Sequence, residues 1–492
     1  MSIEPSCDCG RTHSRRTRDT KAANSPVSRR QWLRENAVGF GYLALAGLLS
    51  EGSAAAGRAA SGGLDPLAPK RPHFPPRAKR VIFAFMHGGP SQVDTFDYKP
   101  LLDRDDGKPL PFDKPRVVSS PTGNLLRSPW RFRRWGESGA YVSELFPHLG
   151  RSVDDLCIIN SMYGSNSRHG GALLELHTGS DTFVRPSMGS WITYGLGSEN
   201  QDLPGFVTIC PTLTHGGVNN WSSAFLPAAY QGTPLGNASV AAVRATIPFI
   251  ANDHTPRPLQ RMELDLLGEM NRAHGELAGP DPALEGRIQS FELAFRLQAA
   301  APELQDISGE TADTLRLYGL DDDVTSNFGR QCLMARRFVE RGVRFVQITH
   351  SYKWDQHDQL KRDHARNAQE VDKPLSGLIA DLKRRGLLNE TLVLWGGEFG
   401  RTPVAQGKDG RDHNPHGFTM WLAGGGVRPG MTYGSTDDYG YYAVERRVHI
   451  HDLHATLLHL LGLDHERLTY HHAGRDFRLT DVHGEVVHAI LA

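Results

Sequence analysis

Glutamate, arginine, aspartate and histidine gather in one stretch of this chain, Gly396-Gly-Glu398-Phe-Gly-Arg401-Thr-Pro403, followed by Arg411-Asp412-His413-Asn-Pro-His416-Gly417. Carboxylate with imidazole is the ligand set of borderline and hard divalent metals. Similar polar sets recur elsewhere. His87, Ser91 and Asp94 stand together. So do His350, Asp355 and His357, and Ser165, Ser167, Arg168 and His169. Glu398 reads as a metal ligand or as an acid capping the following turn. Asp355 and His357, at i and i+2, point the same way in an extended segment. They can share one ion or hydrogen-bond to each other and fix a loop. Pro415 keeps His413 and His416 off a common helix, so a loop presents them. His413 is the preferred ligand, with Asp412 able to hold an imidazole by its second nitrogen. Arg401 is either a fork for a phosphate or sulfate or a partner to Glu398.

Each polar set follows an apolar, β-rich run. Arg80–Met86, Leu156–Ile159, residues 206–210, residues 343–348 and Thr391-Leu-Val-Leu-Trp395 all read as strands buried on both faces. Between them lie helical stretches: His169–Leu176 closing at Thr178-Gly179, much of 256–342, and Arg366–Arg384. Leu259, Met262, Leu266, Leu267 and Met270 fall on one helix face. The alternation predicts an α/β fold, a mainly parallel sheet with helices on both faces. The carboxyl ends of such strands share one edge, where ligands bind, so the four polar sets can meet. Residues 78–492 are expected to form one domain, with a loop-rich surface insertion around 211–255. His451, His454 and His459 have ordinary helix spacing and read as structural.

With 55 Lys+Arg against 55 Asp+Glu, nothing argues for nucleic acid or an anionic membrane surface. Five cysteines are too few for a disulfide framework, and Cys157, Cys210 and Cys332 read as buried free thiols. Ser28-Arg29-Arg30-Gln-Trp-Leu-Arg34, the weakly apolar run Ala37–Leu49 and the small residues Ser53–Gly57 resemble a twin-arginine export signal. Residues 1–60 are therefore expected to be the signal and 61–77 a linker. The location is then periplasmic or extracellular, with no transmembrane helix in the mature chain.

The ordered motifs resemble the alkaline phosphatase/sulfatase superfamily: the first strand with its Gly-Gly turn, Thr178-Gly179, the Asp355/His357 pair, Glu398-Phe-Gly, and the late histidine flanked by glycine. Met86-His-Gly-Gly-Pro-Ser91, Arg185-Pro-Ser-Met-Gly-Ser190, Gly397-Glu-Phe-Gly-Arg-Thr-Pro403, Gly410-Arg-Asp-His413 and Gly474-Arg-Asp-Phe477 are similar to a twin-arginine-exported bacterial family of sulfatase-like domains of unknown function. The resemblance implies the superfamily fold and a divalent metal such as zinc, manganese or calcium. It also implies hydrolysis of a phosphate or sulfate ester, on a small molecule or a polysaccharide. The implied ligands are Asp355, His357, Glu398 and His413, with His87 or Asp94 completing the shell. Counting back from Thr178-Gly179 puts His169 where that superfamily has its nucleophile, so His169 is cast as general base or transient nucleophile and Arg401 as anion holder. The chain departs from the superfamily in three places. It has no Cys-x-Pro-x-Arg or Ser-x-Pro-x-Arg, His87 replaces a metal-binding aspartate, and Glu398-Phe399 replaces an Asp-His pair. The loss of a nucleophile favours a second reading, a metal-binding scaffold. A third, sugar binding, rests on Trp130, Trp135 and Trp221.

Overall fold

Arg80–Met86 (β1) occupies the middle of a nine-stranded sheet. Its alternation sends Val81, Phe83 and Phe85 into one apolar layer and Ile82, Ala84 and Met86 into the other. The computed structural model describes residues 66–113, 121–248, 250–279 and 281–492. The export segment expected over 1–60 and the first part of the linker lie outside them. Residues 66–77 carry no helix or strand and run along the domain, with Lys70 N donating to Leu196 O and Arg77 N to Leu460 O.

The other strands are Leu156–Tyr163 (β2), Phe206–Ile209 (β3), Thr233–Leu235 (β4), Phe345–His350 (β5), Thr391–Gly396 (β6), Phe418–Ala423 (β7), Met431–Tyr433 (β8) and Val448–His449 (β9). Their order is β8-β2-β7-β6-β1-β5-β3-β4, with β9 beside the carboxyl end of β2. β1 is parallel to β5 and β6, and β3 to β5 and β4. Within this described sheet only β7 is reversed, pairing antiparallel with both β6 and β2. The carboxyl ends of β1, β2, β5 and β6 therefore lie along one edge.

One layer holds the helices Ser326–Glu340 and Leu360–Arg384, through Leu333, Phe338, Leu375 and Leu378. The opposite layer holds His169–Thr178, Met188–Leu196 and Ile450–Leu460. The mainly parallel α/β sheet with helices on both faces is thus present. Cys157, Cys210 and Cys332 are free and buried.

Three segments differ from expectation. β2 continues to Tyr163, because β9 pairs with its Met162 and Tyr163. The 211–255 segment is not only a surface insertion. Thr233–Leu235 extends the sheet, and Trp221 and Tyr230 enter the apolar layer. The helix Arg257–Ala278 forms, but Leu259, Met262, Leu266 and Leu267 on its face are exposed. No helix of the described residues is long and apolar enough to cross a membrane.

The turn after β1 allows neighbouring strand exits to close on it. Gly88 has φ +116°, and a Cβ there would lie 2.7 Å from Asp355 N and 2.8 Å from two backbone atoms of Trp354. Gly89, at φ +84°, is pressed in the same way by Phe399. These are positions only glycine fills without strain. Gly88→Ala is expected to lower stability by about 2–4 kcal/mol, read as a shift in urea midpoint, because the 354–355 loop must move away.

Candidate metal centre

Asp355 sits in the loop after β5, and its Oδ1 is a focus for four side chains, His357 two residues on and three from distant parts of the chain. His357 Nε2 lies 2.9 Å away, His413 Nε2 3.1 Å, His169 Nε2 3.2 Å and Arg401 Nη2 2.7 Å. His169 is the first residue of its helix, which ends on the left-handed Gly179. His413 lies on the strand Gly410–Asn414, paired with Gly400–Gln406 so that Arg401 stands opposite His413. That hairpin carries His413 and Arg401 to the same point.

The second nitrogen of each ring decides what the first can do. His413 Nδ1 lies 2.7 Å from Ser167 O. A carbonyl only accepts, so Nδ1 carries the proton and the neutral ring has a lone pair on Nε2. His169 Nδ1 lies 2.6 Å from Glu398 Oε1, and His357 Nδ1 bonds to Gln406 Oε1. Three Nε2 lone pairs then converge on a carboxylate oxygen, acceptors facing an acceptor. A metal ion between them, or a proton on a ring, resolves that repulsion. A second-shell hydrogen bond from the far nitrogen is what metal-ligating histidines make. His169 Nε2 is also a buried nitrogen with no hydrogen bond, despite its 3.2 Å approach to Asp355. The His169, Asp355, His357 and His413 ligand atoms all lie within 4.8 Å of one another, so these residues fit a divalent ion.

A second group adjoins it. Ligand atoms of His87, His169 and Glu398 also lie within 4.8 Å of one another. Glu398 is buried straight after β6 and accepts from Gly88 N at 3.1 Å. His87 Nε2 lies 3.4 Å from His215 Nδ1, while His87 Nδ1 has no hydrogen-bond partner. Glu398 already engages the Nδ1–H of His169, so it orients that ring.

Burial lowers His413 and His87, each to about 4. For His169 burial also acts downward, but the neighbouring carboxylates of Asp355 and Glu398 outweigh it and lift the ring to about 9. Asp355 is pushed up by burial and held well below the usual carboxylate range by His169, His357 and His413. A buried carboxylate, Glu398, and a half-buried one, Asp355, with these rings demand positive charge, which either a proton on His169 or a metal ion supplies.

His87, His169, Asp355, His357, Glu398 and His413 are thus brought together. Asp94 is not, and its expected place in the shell is corrected. It is fully buried against Arg411, 2.7 Å from Nε and 3.2 Å from Nη2, and a buried guanidinium needs that carboxylate. Arg401 is also corrected. Its guanidinium is spent on the carbonyls of Gly88, Gly89, Trp354 and Arg411 and on Asp355, so it braces the loops and pairs with Asp355, not Glu398. Both His169 nitrogens face carboxylates, Glu398 at Nδ1 and Asp355 at Nε2, a setting that suits a metal ligand as well as the expected base or nucleophile. His416 lies apart, beside Tyr442. His451 and His454 brace Gly179 O and Leu176 O at 2.9 and 2.8 Å.

Sequence reasoning missed His215 and Tyr352. Both have left-handed φ, +48°, and their rings lie 5.0 Å apart over the centre. Tyr352 is 5.0 Å from His87 and 5.8 Å from His169. The glycines after His215 were a usable signal. Tyr352 offered none.

The sequence profile of DUF1501, a protein family of unknown function, matches residues 78–491. The chain belongs to DUF1501. No curated protein matches it. Among solved structures, this DUF1501 chain is similar to the lipoteichoic acid synthase LtaP from Listeria monocytogenes, with 10% identity, TM-score 0.36 and coverage of 83% of this chain and 76% of that one. It is also similar to the PsFucS1 sulfatase from Pseudoalteromonas sp. (14%, 0.33, 79% and 69%). A third is a protein in the alkaline phosphatase superfamily from Vibrio parahaemolyticus (10%, 0.34, 81% and 70%).

Asp94→Asn is expected to leave metal content unchanged while costing about 3–5 kcal/mol of stability, because Arg411 is left buried without its charge partner. Elemental analysis beside urea unfolding checks both. Metal lost with the fold intact would restore Asp94 to the shell.

Proposed function

We propose that this DUF1501 protein is an exported, divalent-metal-dependent hydrolase of phosphate or sulfate esters, carried on small molecules or polysaccharides. The observation that supports it is the convergence of three imidazole lone pairs on Asp355, each ring fixed by a hydrogen bond from its far nitrogen. His169, His357, His413 and Asp355 would hold the ion. Three nitrogens and one carboxylate suit zinc or manganese better than calcium, which prefers all-oxygen shells. A divalent ion there supplies polarisation of the ester oxygen and acidification of water.

The chain's own groups do the rest. Glu398 holds His169 in the tautomer that leaves Nε2 bare. Arg401 offsets the charge of Asp355 and ties its loop to the β1 turn. The helix beginning at His169 directs the positive end of its dipole toward the group, which favours an anionic ester. Tyr352, half exposed, and His215 form the face an incoming ester would meet.

A second reading, a metal-binding scaffold without turnover, is favoured by the engagement of Arg401 with Asp355 and four carbonyls, which takes it out of the role of anion fork. Elemental analysis should find about one zinc or manganese per chain; protein free of metal under replete conditions would sink both readings. Aryl phosphate and aryl sulfate turnover then separates enzyme from scaffold. Glu398→Gln should weaken metal affinity by about 10–100-fold, measured by chelator competition. Replacing Arg29 and Arg30 by lysine should retain the protein in the cytoplasm if the twin-arginine route carries it.

A further inference from the structure

A cavity of about 750 Å³ lies on the same edge of the sheet as the metal centre. Its walls come from segments that follow the carboxyl ends of β1, β5 and β6, around Tyr98 and Arg127–Phe132, Leu360-Lys361, and Asp409. Contacts through Trp130, His364 and Gln356 link it to the Asp355–His357 loop. The Trp130 ring lies 5.9 Å from His364, whose Nδ1 is 2.8 Å from Gln356 Oε1. The metal-centre chemistry uses none of these lining residues.

Three features of the lining point to one ligand chemistry. Trp130, Tyr98 and Phe132 supply aromatic surface, and the last two stack on each other at 5.1 Å, which leaves no slot for a flat base between them. Asp103, Asp106 and Asp409 contribute acceptors. Asp106 and Asp409 accept from Arg127 N and Gln359 N, and an ionised carboxylate has about four lone-pair sites. Hydroxyl groups therefore find acceptors here. The Arg131 guanidinium and the Lys361 ammonium have no carboxylate or ring partner among the described residues. Aromatic faces, hydroxyl acceptors and unpaired cations together match a sugar chain bearing anionic groups. A purely anionic ligand would meet three carboxylates, and an apolar one would have no use for them.

Of the tryptophans that suggested sugar binding, only Trp130 fits. Trp221 is buried in the core, and the Trp135 ring is covered by Arg133 at 3.5 Å. We propose that the Tyr98–Trp130–Lys361 cavity is a binding subsite for an anionic oligosaccharide, distinct from the metal centre.

Isothermal titration of the full mature chain with a sulfated galactan hexasaccharide and its desulfated counterpart tests this. The sulfated chain should bind, more weakly as salt rises, and the desulfated chain less well. Trp130→Ala should weaken binding by about tenfold or more, and Arg131→Ala with Lys361→Ala should flatten the salt dependence. Both cations are exposed, so that double variant remains informative if Trp130→Ala fails to fold. Failure to bind, equal affinity for the desulfated sugar, or affinity unchanged in these variants would overturn the subsite. So would preference for inorganic polyphosphate. His413→Ala, which disrupts the metal centre, should bind the sugar normally, so failure of the hydrolase reading and failure of the subsite give different results.

Discussion

One oxygen atom organises this structure. Asp355 Oδ1 has three imidazole nitrogens and a guanidinium within 3.2 Å. A carboxylate so placed cannot be left with lone pairs around it. The rings' far nitrogens are committed to Ser167 O, Glu398 and Gln406, so the rings cannot simply turn away. Arg401 neutralises part of the charge, yet it is fixed by four carbonyls as well. The surrounding loops have little freedom to relax this conflict, which is why the cluster reads as built for a cation.

The parallel sheet brings these groups together. His169, Asp355 and His413 are far apart in sequence, and only strand exits sharing an edge bring them into contact. The glycine turn after β1 removes the Cβ atoms that would hold the β5 and β6 exits apart. At the opposite end of the helix led by His169, two histidines secure its last carbonyls. That helix is anchored at both ends, so the position of His169 depends on contacts with Ile450–Leu460 as well as on the site itself.

Much of this was legible in the chain. β1 and the core of β6 follow from unbroken apolar runs, which only strands buried on both faces require. The Asp355/His357 pair was legible from its i, i+2 spacing, and Glu398 from a carboxylate set between glycines after such a strand. Asp94 was misread because its partner, Arg411, is remote in sequence, and no local pattern announces a long-range ion pair. Arg401 was misread for a related reason. Its spacing suggests an anion fork, while its bonds go to carbonyls that exist only once three loops have closed. His215 was hidden in a segment without periodicity, where pattern reading has nothing to hold.

The four residues around the proposed ion come from three separate segments, and the cysteines among the described residues form no bridge. An ion held there would be a cross-link, closing long loops that the covalent chain leaves open. Its grip would exist only in the folded state, since no short segment carries the full ligand set. Free metal concentration would then act as a folding variable, each tenfold above the dissociation constant adding about 1.4 kcal/mol. Such a chain would be sturdier wherever metal is plentiful and progressively looser as metal is withdrawn.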